Sequence, residues 1–297
     1  MNIEKIYLIA GGDMRFLQLS SLLAKKGKVY LVGFEKTEEI SPEVTLLENL
    51  SELKEQPDYL ILPMPVTNDD VTLYTPLYKK EKVKLYHIFD LCHRKTLVFG
   101  GKITPYLKDE LKDRRLATVD YVKREEFAIM NAVPTAEGAL SIVLNKLPTV
   151  LMGRKVLITG FGRISKVLLK YFRALDAFVS VTARKYKDLV WAEIYGADTI
   201  PLEKLSERIG EYDVILNTVP SMILGKTQLE NTKKDCLIID LASSPGGVDF
   251  ETAKSLNRET VWALSLPGKT APLTAASVLE RTLSNCVREY ERGELCE

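Results

Sequence analysis

The chain has 297 residues, 46% of them apolar and 27% charged, with a formal net charge of +1. That length holds two ordinary domains whose cores need neither disulfides nor metal, and so balanced a charge provides no global field for nucleic acid or an anionic membrane. The cysteines, Cys92, Cys236, Cys286 and Cys296, form no CxxC pair, which speaks against a disulfide framework and a zinc site and leaves free thiols. The opening Met1-Asn2-Ile3-Glu4-Lys5 has no basic stretch leading into a long apolar one and does not read as a signal peptide. No apolar run approaches the roughly 20 residues of a membrane span, so a cytoplasmic protein without membrane attachment is expected.

In chain order, Ile6 through Ala10 reads as a buried strand, stopped by Gly11-Gly12. Helical spacing of apolar residues follows from Arg15 to Lys26. Val29 through Val32 is a second strand and Tyr59 through Leu62 a third; Leu85 through Phe89 and Leu97 through Phe99 are further strand candidates. Continuous apolar runs separated by helices indicate a parallel sheet covered on both faces. A helical stretch begins near Arg124, breaks at Pro134 and resumes at Thr135. Pro148 and Gly153 then mark a boundary, which predicts a first domain over 1–147 and a second over 148–273.

The second half restarts the alternation. Lys155 through Thr159 is a strand and Ile164 to Leu175 a helix. Phe178 through Thr182, Val214 through Asn217, Leu237 through Asp240 and Val261 through Leu264 are strands, and Thr274 to Glu291 a long closing helix. The closing segment, about 274–297, is expected to pack back on the first domain. The fold class is therefore α/β, with two Rossmann-like, doubly wound parallel-sheet domains and a cleft between them.

The segment Gly160-Phe161-Gly162-Arg163-Ile164-Ser165 follows a buried strand and opens an amphipathic helix, the context of a dinucleotide site. Gly160 permits the tight turn, Gly162 lets the backbone approach a pyrophosphate, and the helix start offers free N–H groups. Ser165 stands where the fingerprint has Gly or Ala. A plain strand–turn–helix is the alternative. The second strand ends Thr182-Ala183-Arg184-Lys185 without the acid of an NAD site. Arg184 and Lys185 favour the 2′-phosphate of NADP over NAD, unless both are solvated surface charges. The loops Thr218-Val219-Pro220 and Asp240-Leu241-Ala242 follow later strands and are expected to border the nicotinamide, with turn chemistry as the alternative for Asp240.

Four motifs taken together carry a resemblance: Gly11-Gly12-Asp13-Met14-Arg15, then Asn131 through Ala139 (NAVPTAEGA), then the Gly160 fingerprint, then Leu266 through Ala276 (LPGKTAPLTAA). In this order and length the chain resembles the dipicolinate synthase A-subunit family of spore-forming bacteria, over essentially its whole extent. The resemblance implies an NADP-linked oxidation of a dihydro- or hydroxytetrahydro-dipicolinate from the lysine branch to pyridine-2,6-dicarboxylate during sporulation, in the mother-cell cytoplasm. It also implies the flavoprotein-like B-subunit of dipicolinate synthase as partner, self-association, and a substrate cleft between two Rossmann-like domains.

A dianionic substrate needs cations or free N–H groups. Arg15, just past the first strand, is placed to grip one carboxylate in a bidentate fork, if it is not simply solvated. Asp13 reads as the N-cap of that helix or as a base. Asn131 and Thr135 belong to the same substrate-facing motif, and Thr135-Ala136-Glu137-Gly138 looks like a helix start able to hold an anion. Glu137 has the chemistry of an acid–base group, though it also suits a solvated helix end. Lys269, with Thr270 beside it, follows the last strand and can bind a carboxylate or take a proton; the alternative is a surface loop lysine. The two histidines, His87 and His93, can move protons near neutral pH, and His93, in a loop, is the candidate of the two. No histidine follows His93, which disfavours a 2-hydroxyacid dehydrogenase. An alanine-dehydrogenase-like oxidoreductase and a non-catalytic, dinucleotide-binding subunit both stay open, because binding a dinucleotide is not reacting with it.

Overall fold

The computed structural model describes residues 4–294; the expectations placed on Met1 through Ile3 and on Cys296 lie outside them. The chain divides into two compact units, with the crossings between Met130 and Asn131 and between Thr270 and Ala271.

The first unit contains β1 (Lys5–Ala10), α1 (Met14–Ala24), β2 (Gly27–Val32), β3 (Val44–Leu46), β4 (Tyr59–Ile61), α2 (Leu85–Phe89), β5 (Leu97–Gly100), α3 (Pro105–Asp113), β6 (Ala117–Asp120) and the start of α4 (Glu125–Lys146). Its six strands are all parallel, in the order β3-β2-β1-β4-β5-β6. Successive residues of each central strand feed opposite faces. Ile9, Leu31, Ile61 and Phe99 pack on one side; Leu8, Ala10, Leu60 and Val98 pack on the other.

The second unit holds the rest of α4, then β7 (Lys155–Thr159), α5 (Arg163–Ala174), β8 (Phe178–Ala183), α6 (Tyr186–Ile194), β9 (Asp198–Pro201), α7 (Leu205–Arg208), β10 (Val214–Asn217), α8 (Lys226–Glu230), β11 (Leu237–Asp240), α9 (Phe250–Ser255), β12 (Glu259–Trp262) and α10 (Leu266–Thr270). Its parallel strands run in the order β12-β11-β10-β7-β8-β9. Numbered within each unit, both sheets read 3-2-1-4-5-6, the doubly wound order of a dinucleotide-binding domain. The last helix, α11 (Pro272–Glu291), belongs to the first unit. It packs on α1 through Ala276, Leu279 and Leu283, and Glu289 is held by both Nη atoms of Arg124 at 2.7 Å.

Several expectations are corrected. Leu85–Phe89 is a helix, not a strand: Leu85, Ile88 and Phe89 are buried while Tyr86 and His87 face out, the i, i+3, i+4 spacing of a helix. The first crossing falls at 130/131 rather than 147/148, because α4 does not break at Pro134. Ala136, Ala139 and Val143 of α4 are fully buried in the second unit's core, which carries the helix through the proline. By length and composition alone, α4 is also apolar enough to cross a membrane, contrary to the expectation that no segment reaches that length. The thiols of Cys92, Cys236 and Cys286 are free, and burial pushes Cys236 up to about 12.

Candidate dinucleotide site and substrate residues

Strand one of each unit ends in a glycine turn leading into a helix, and the two turns differ in a way that decides their chemistry. In both, the first glycine N–H donates to the last turn of the neighbouring strand: Gly11 N to Val32 O at 2.8 Å, and Gly160 N to Thr182 O at 2.7 Å. Beyond that the first turn is closed. A Cβ on Gly11 would lie 2.7 Å from the Tyr74 carbonyl oxygen, and one on Gly12 would lie 2.3 Å from the Phe16 ring. Gly12 N donates to Tyr74 O at 3.1 Å, and the Asp13 carboxylate caps α1 through Arg15 N at 3.1 Å. Backbone and an internal anion already fill the place a phosphate would take.

The second turn is open. Gly160 has φ +80° and a Cβ there would meet Val219 Cγ2 at 2.7 Å, so only glycine serves. Gly162 caps α5 with no side-chain hydrogen bond, and a Cβ added to it would meet nothing within 4 Å. Its first-turn amides and positive dipole end face space that a pyrophosphate fits. At the end of β8 the Thr182 hydroxyl is buried with no hydrogen-bond partner among the described residues. Arg184 and Lys185 beyond it are exposed. The residues present therefore fit a nicotinamide dinucleotide, with Ile164 partly exposed on the first turn of α5 and Phe161 beside the ring of Tyr195. Arg163 occupies the first helical position.

Ser165 is the departure from the fingerprint, and the structure gives it a role the spacing did not reveal. Fully buried, its hydroxyl lies 2.9 Å from the Thr218 hydroxyl, which in turn donates to Thr159 O at 2.7 Å. The start of α5 is thus tied to the loop after β10. Behind that loop, Thr159 donates to Asn217 Oδ1, and Asn217 Nδ2 donates to Val219 O at 3.0 Å and to Asp240 Oδ1 at 2.7 Å. Asp240, fully buried, also accepts from Ala242 N at 3.0 Å and Gly247 N at 2.7 Å. This corrects the expectation that Asp240 and Ala242 touch the cofactor. The carboxylate is spent inside the protein, and Ala242 is buried with its own carbonyl accepting from Trp262 Nε1 at 3.1 Å. Thr218 and Val219 remain at the rim, and Pro220 is exposed.

Among the substrate candidates, Asp13 caps α1 and also holds Arg15: Nε to Oδ1 at 2.9 Å and Nη2 to Oδ2 at 2.7 Å. Arg15 as a residue is 4% exposed. Burial alone would disfavour its charge, but the Asp13 carboxylate outweighs that and holds its pKa above the ordinary value. One fork of Arg15 is therefore taken, and its Nη1 makes no hydrogen bond among the described residues. The expected helix start at Thr135 does not exist. Thr135 sits mid-helix with its hydroxyl donating to Asn131 O at 2.7 Å, so it offers no free N–H groups for an anion. Asn131 Oδ1 is buried without a partner among the described residues. Gly138 serves close packing, since a Cβ there would lie 3.0 Å from Leu266 Cβ and 3.1 Å from Thr270 Oγ1.

Glu137 is exposed and accepts from Tyr171 OH at 3.2 Å. Tyr171 lies eight residues into α5, about 12 Å down the helix from the glycine turn, which leaves Glu137 no place beside a nicotinamide. His93 follows α2 and precedes β5, at the amino end of a parallel strand, with Nδ1 accepting from Lys95 N at 2.9 Å. Ligands in such sheets bind beyond the carboxyl ends, so His93 is on the wrong edge for catalysis. Lys269 is exposed on α10, and the Thr270 hydroxyl donates to Leu266 O at 2.8 Å.

Two doubly wound parallel sheets with a single open glycine turn define an NAD(P)-dependent dehydrogenase-like protein. Residues 142–261 match the shikimate/quinate 5-dehydrogenase family, and residues 6–122 match the N-terminal domain of the dipicolinate synthase A-subunit. The dipicolinate synthase A-subunit of Bacillus subtilis (strain 168) is 31% identical over 96% of this chain and 97% of its own length. The chain belongs to the dipicolinate synthase A-subunit family. Crystal structures from the same family superpose on it with a TM-score of 0.86. The Bacillus subtilis chain is 30% identical, covering 99% of both chains, and the Bacillus halodurans chain is 28% identical, covering 95% of this chain and 97% of that one. A transhydrogenase from Sinorhizobium meliloti, 14% identical with a TM-score of 0.69 over 96% of this chain and 94% of its own, shares the fold.

Proposed function

We propose that this chain is an NADP-dependent oxidoreductase that forms dipicolinate from a dihydro- or hydroxytetrahydro-dipicolinate in sporulating cells, in the cytoplasm, together with a flavoprotein-like B-subunit. The observation that carries the reading is the full-length kinship with the dipicolinate synthase A-subunit combined with an open, uncapped glycine turn. A bound NADP would supply the hydride acceptor for oxidation of the dihydropyridine ring, with the accompanying proton released to a base or water. With the hydroxylated form, water is lost as well. The purified chain, given NADP and enzymatically generated dihydrodipicolinate with and without its partner, should yield the pyridine product and NADPH in equal amounts. No product in either mixture would refute the reading; product only with the partner would make this chain a dinucleotide-binding subunit.

NADP is preferred over NAD because no acid follows Thr182 at the end of β8, while Arg184 and Lys185 do. Arg184→Ala should weaken NADP by about tenfold or more, the loss of one charge-assisted contact of about 1.5–3 kcal/mol, and leave NAD unchanged. Calorimetric titration of both nucleotides checks this, and equal losses would refute it.

The two carboxylates are assigned to Arg15 and Lys269, cations that follow the carboxyl ends of β1 and β12. Each alanine variant should lower kcat/KM at least about tenfold with NADP affinity nearly intact. Near-normal turnover by both variants would remove these residues from the site.

A further inference from the structure

Six residues other than glycine have left-handed backbone among the described residues. Arg115, Asp176 and Asn257 each follow the last turn of a helix, where that conformation closes the chain. At Asp70 the residue type tolerates it. Lys102, with φ +56°, and Ser265 have neither reason, and each stands just beyond the carboxyl end of a strand, β5 and β12. The turn at Lys102 is held firmly. Lys102 N and Ile103 N donate to the two carboxylate oxygens of Asp120 at 3.1 and 3.3 Å. Gly101 N donates to Pro63 O, and Gly101 O accepts from Val66 N, both at 3.1 Å. None of these contacts uses the lysine side chain, which is exposed and makes no ion pair among the described residues. Glycine would take this backbone without cost, and strained positions of this kind cluster at ligand sites.

A charge deficit in the same unit says what the lysine is for. In the order β1-β4-β5 a single strand separates the turn at Lys102 from the turn at Arg15, a gap of about 10 Å. Tyr121 stands in it. A Cβ on Gly101 would lie 2.7 Å from the Tyr121 hydroxyl, and while burial pushes that phenol up, the nearby Arg15 guanidinium pulls it down. Arg15 brings no net charge to this edge, because Asp13 takes its Nε and Nη2. A carboxylate that approaches the remaining Nη1 meets the Asp13 anion as well, so it needs a further cation. We propose that Lys102 is a substrate-binding residue that joins Arg15 Nη1 on one carboxylate of the cyclic dicarboxylate, the other being left to Lys269. The assignment rests on the dicarboxylate reading given above. Ligands of such sheets bind beyond the carboxyl ends of the strands, where Lys102 stands, and its flexible four-carbon stem carries a compact charge across the turn.

Calorimetric titration of the full chain with pyridine-2,6-dicarboxylate in the presence of NADP, together with turnover of the dihydro substrate, tests this. Lys102→Met removes the charge and keeps the strain, and should lose at least about tenfold in affinity and in kcat/KM. Lys102→Arg should stay within about threefold. Lys102→Gly should lose as much as the Met variant yet melt at a higher temperature, because the turn relaxes; a residue that only shapes the loop would not couple those two changes. Lys102→Met combined with Arg15→Ala should cost less than the sum of the single losses, since both side chains serve one carboxylate. NADP affinity should hold throughout. Met and Gly variants that match a binding, active wild type would overturn this inference alone, as would additive losses or a Gly variant that melts lower. A wild type that neither binds nor turns over would remove the dicarboxylate reading with it.

Discussion

Gly162→Asp should abolish dinucleotide binding and leave the protein at least as stable as before. Gly162 is the N-cap of α5, with extended backbone (φ −89°, ψ −162°) that any residue adopts, and nothing lies within 4 Å of where its Cβ would be. Aspartate is among the best N-cap residues and exceeds glycine there by a few tenths of a kcal/mol. The same carboxylate would take the first-turn amides that a pyrophosphate needs and set an anion against an anion. Losing two charge-assisted contacts of about 1.5–3 kcal/mol each lowers affinity by about 100-fold or more. Because the pyrophosphate is common to both nucleotides, NAD and NADP should be lost together, unlike the selective loss expected for Arg184→Ala. Thermal melting and nucleotide titration of one preparation read both effects. Binding within threefold of wild type would mean that the phosphates lie elsewhere; a large drop in melting temperature would mean that Gly162 is needed for folding.

The interior strands were legible because both faces of a parallel sheet are buried, so Ile6 through Ala10, Val214 through Asn217 and Leu237 through Asp240 stand out as apolar runs. Edge strands have less to bury. β3, β6 and β9 are three or four residues long and include Thr45, Thr118, Asp120 and Asp198, and nothing in their spacing distinguishes them from loop. Pro134 misled for a different reason. A proline normally interrupts a helix, but burial of Ala136, Ala139 and Val143 holds α4 together across it. The glycine turn was readable since its chemistry is local. The fates of Glu137 and Ala242 were not, because they are decided by partners 34 and 20 residues away, Tyr171 and Trp262. Nor does any pattern reveal that Tyr74, from a loop after β4, roofs the first unit's glycine turn.

Asp240→Leu should produce a large loss of stability confined to the second unit. The carboxylate accepts from Asn217 Nδ2, Ala242 N and Gly247 N, all within 3.0 Å. Gly246, with φ +82°, wraps it so closely that a Cβ there would lie 2.8 Å from Oδ2. Leucine has the same branching but bulkier methyl ends and no acceptor. Ala242 N and Gly247 N would be left buried without partners at about 1–3 kcal/mol each, and Asn217 Nδ2 would keep only Val219 O, so the total cost is about 3–6 kcal/mol. Asp240→Asn should cost less. Its amide oxygen can still serve Asn217 and Ala242, while its NH₂ faces the Gly247 N–H and loses that one bond. The measurement is unusually clean because the chain has two tryptophans, Trp191 and Trp262, and both lie in the second unit. Urea unfolding followed by tryptophan fluorescence therefore reports that unit alone, and circular dichroism reports the whole chain. The fluorescence midpoint should fall in the order wild type, Asn, Leu, with the two probes separating in the Leu variant as the first unit outlasts the second. A fluorescence midpoint that does not move in Asp240→Leu would show that these three donors find other partners, and that the bridge between the β10 and β11 loops does not hold the rim of the dinucleotide site.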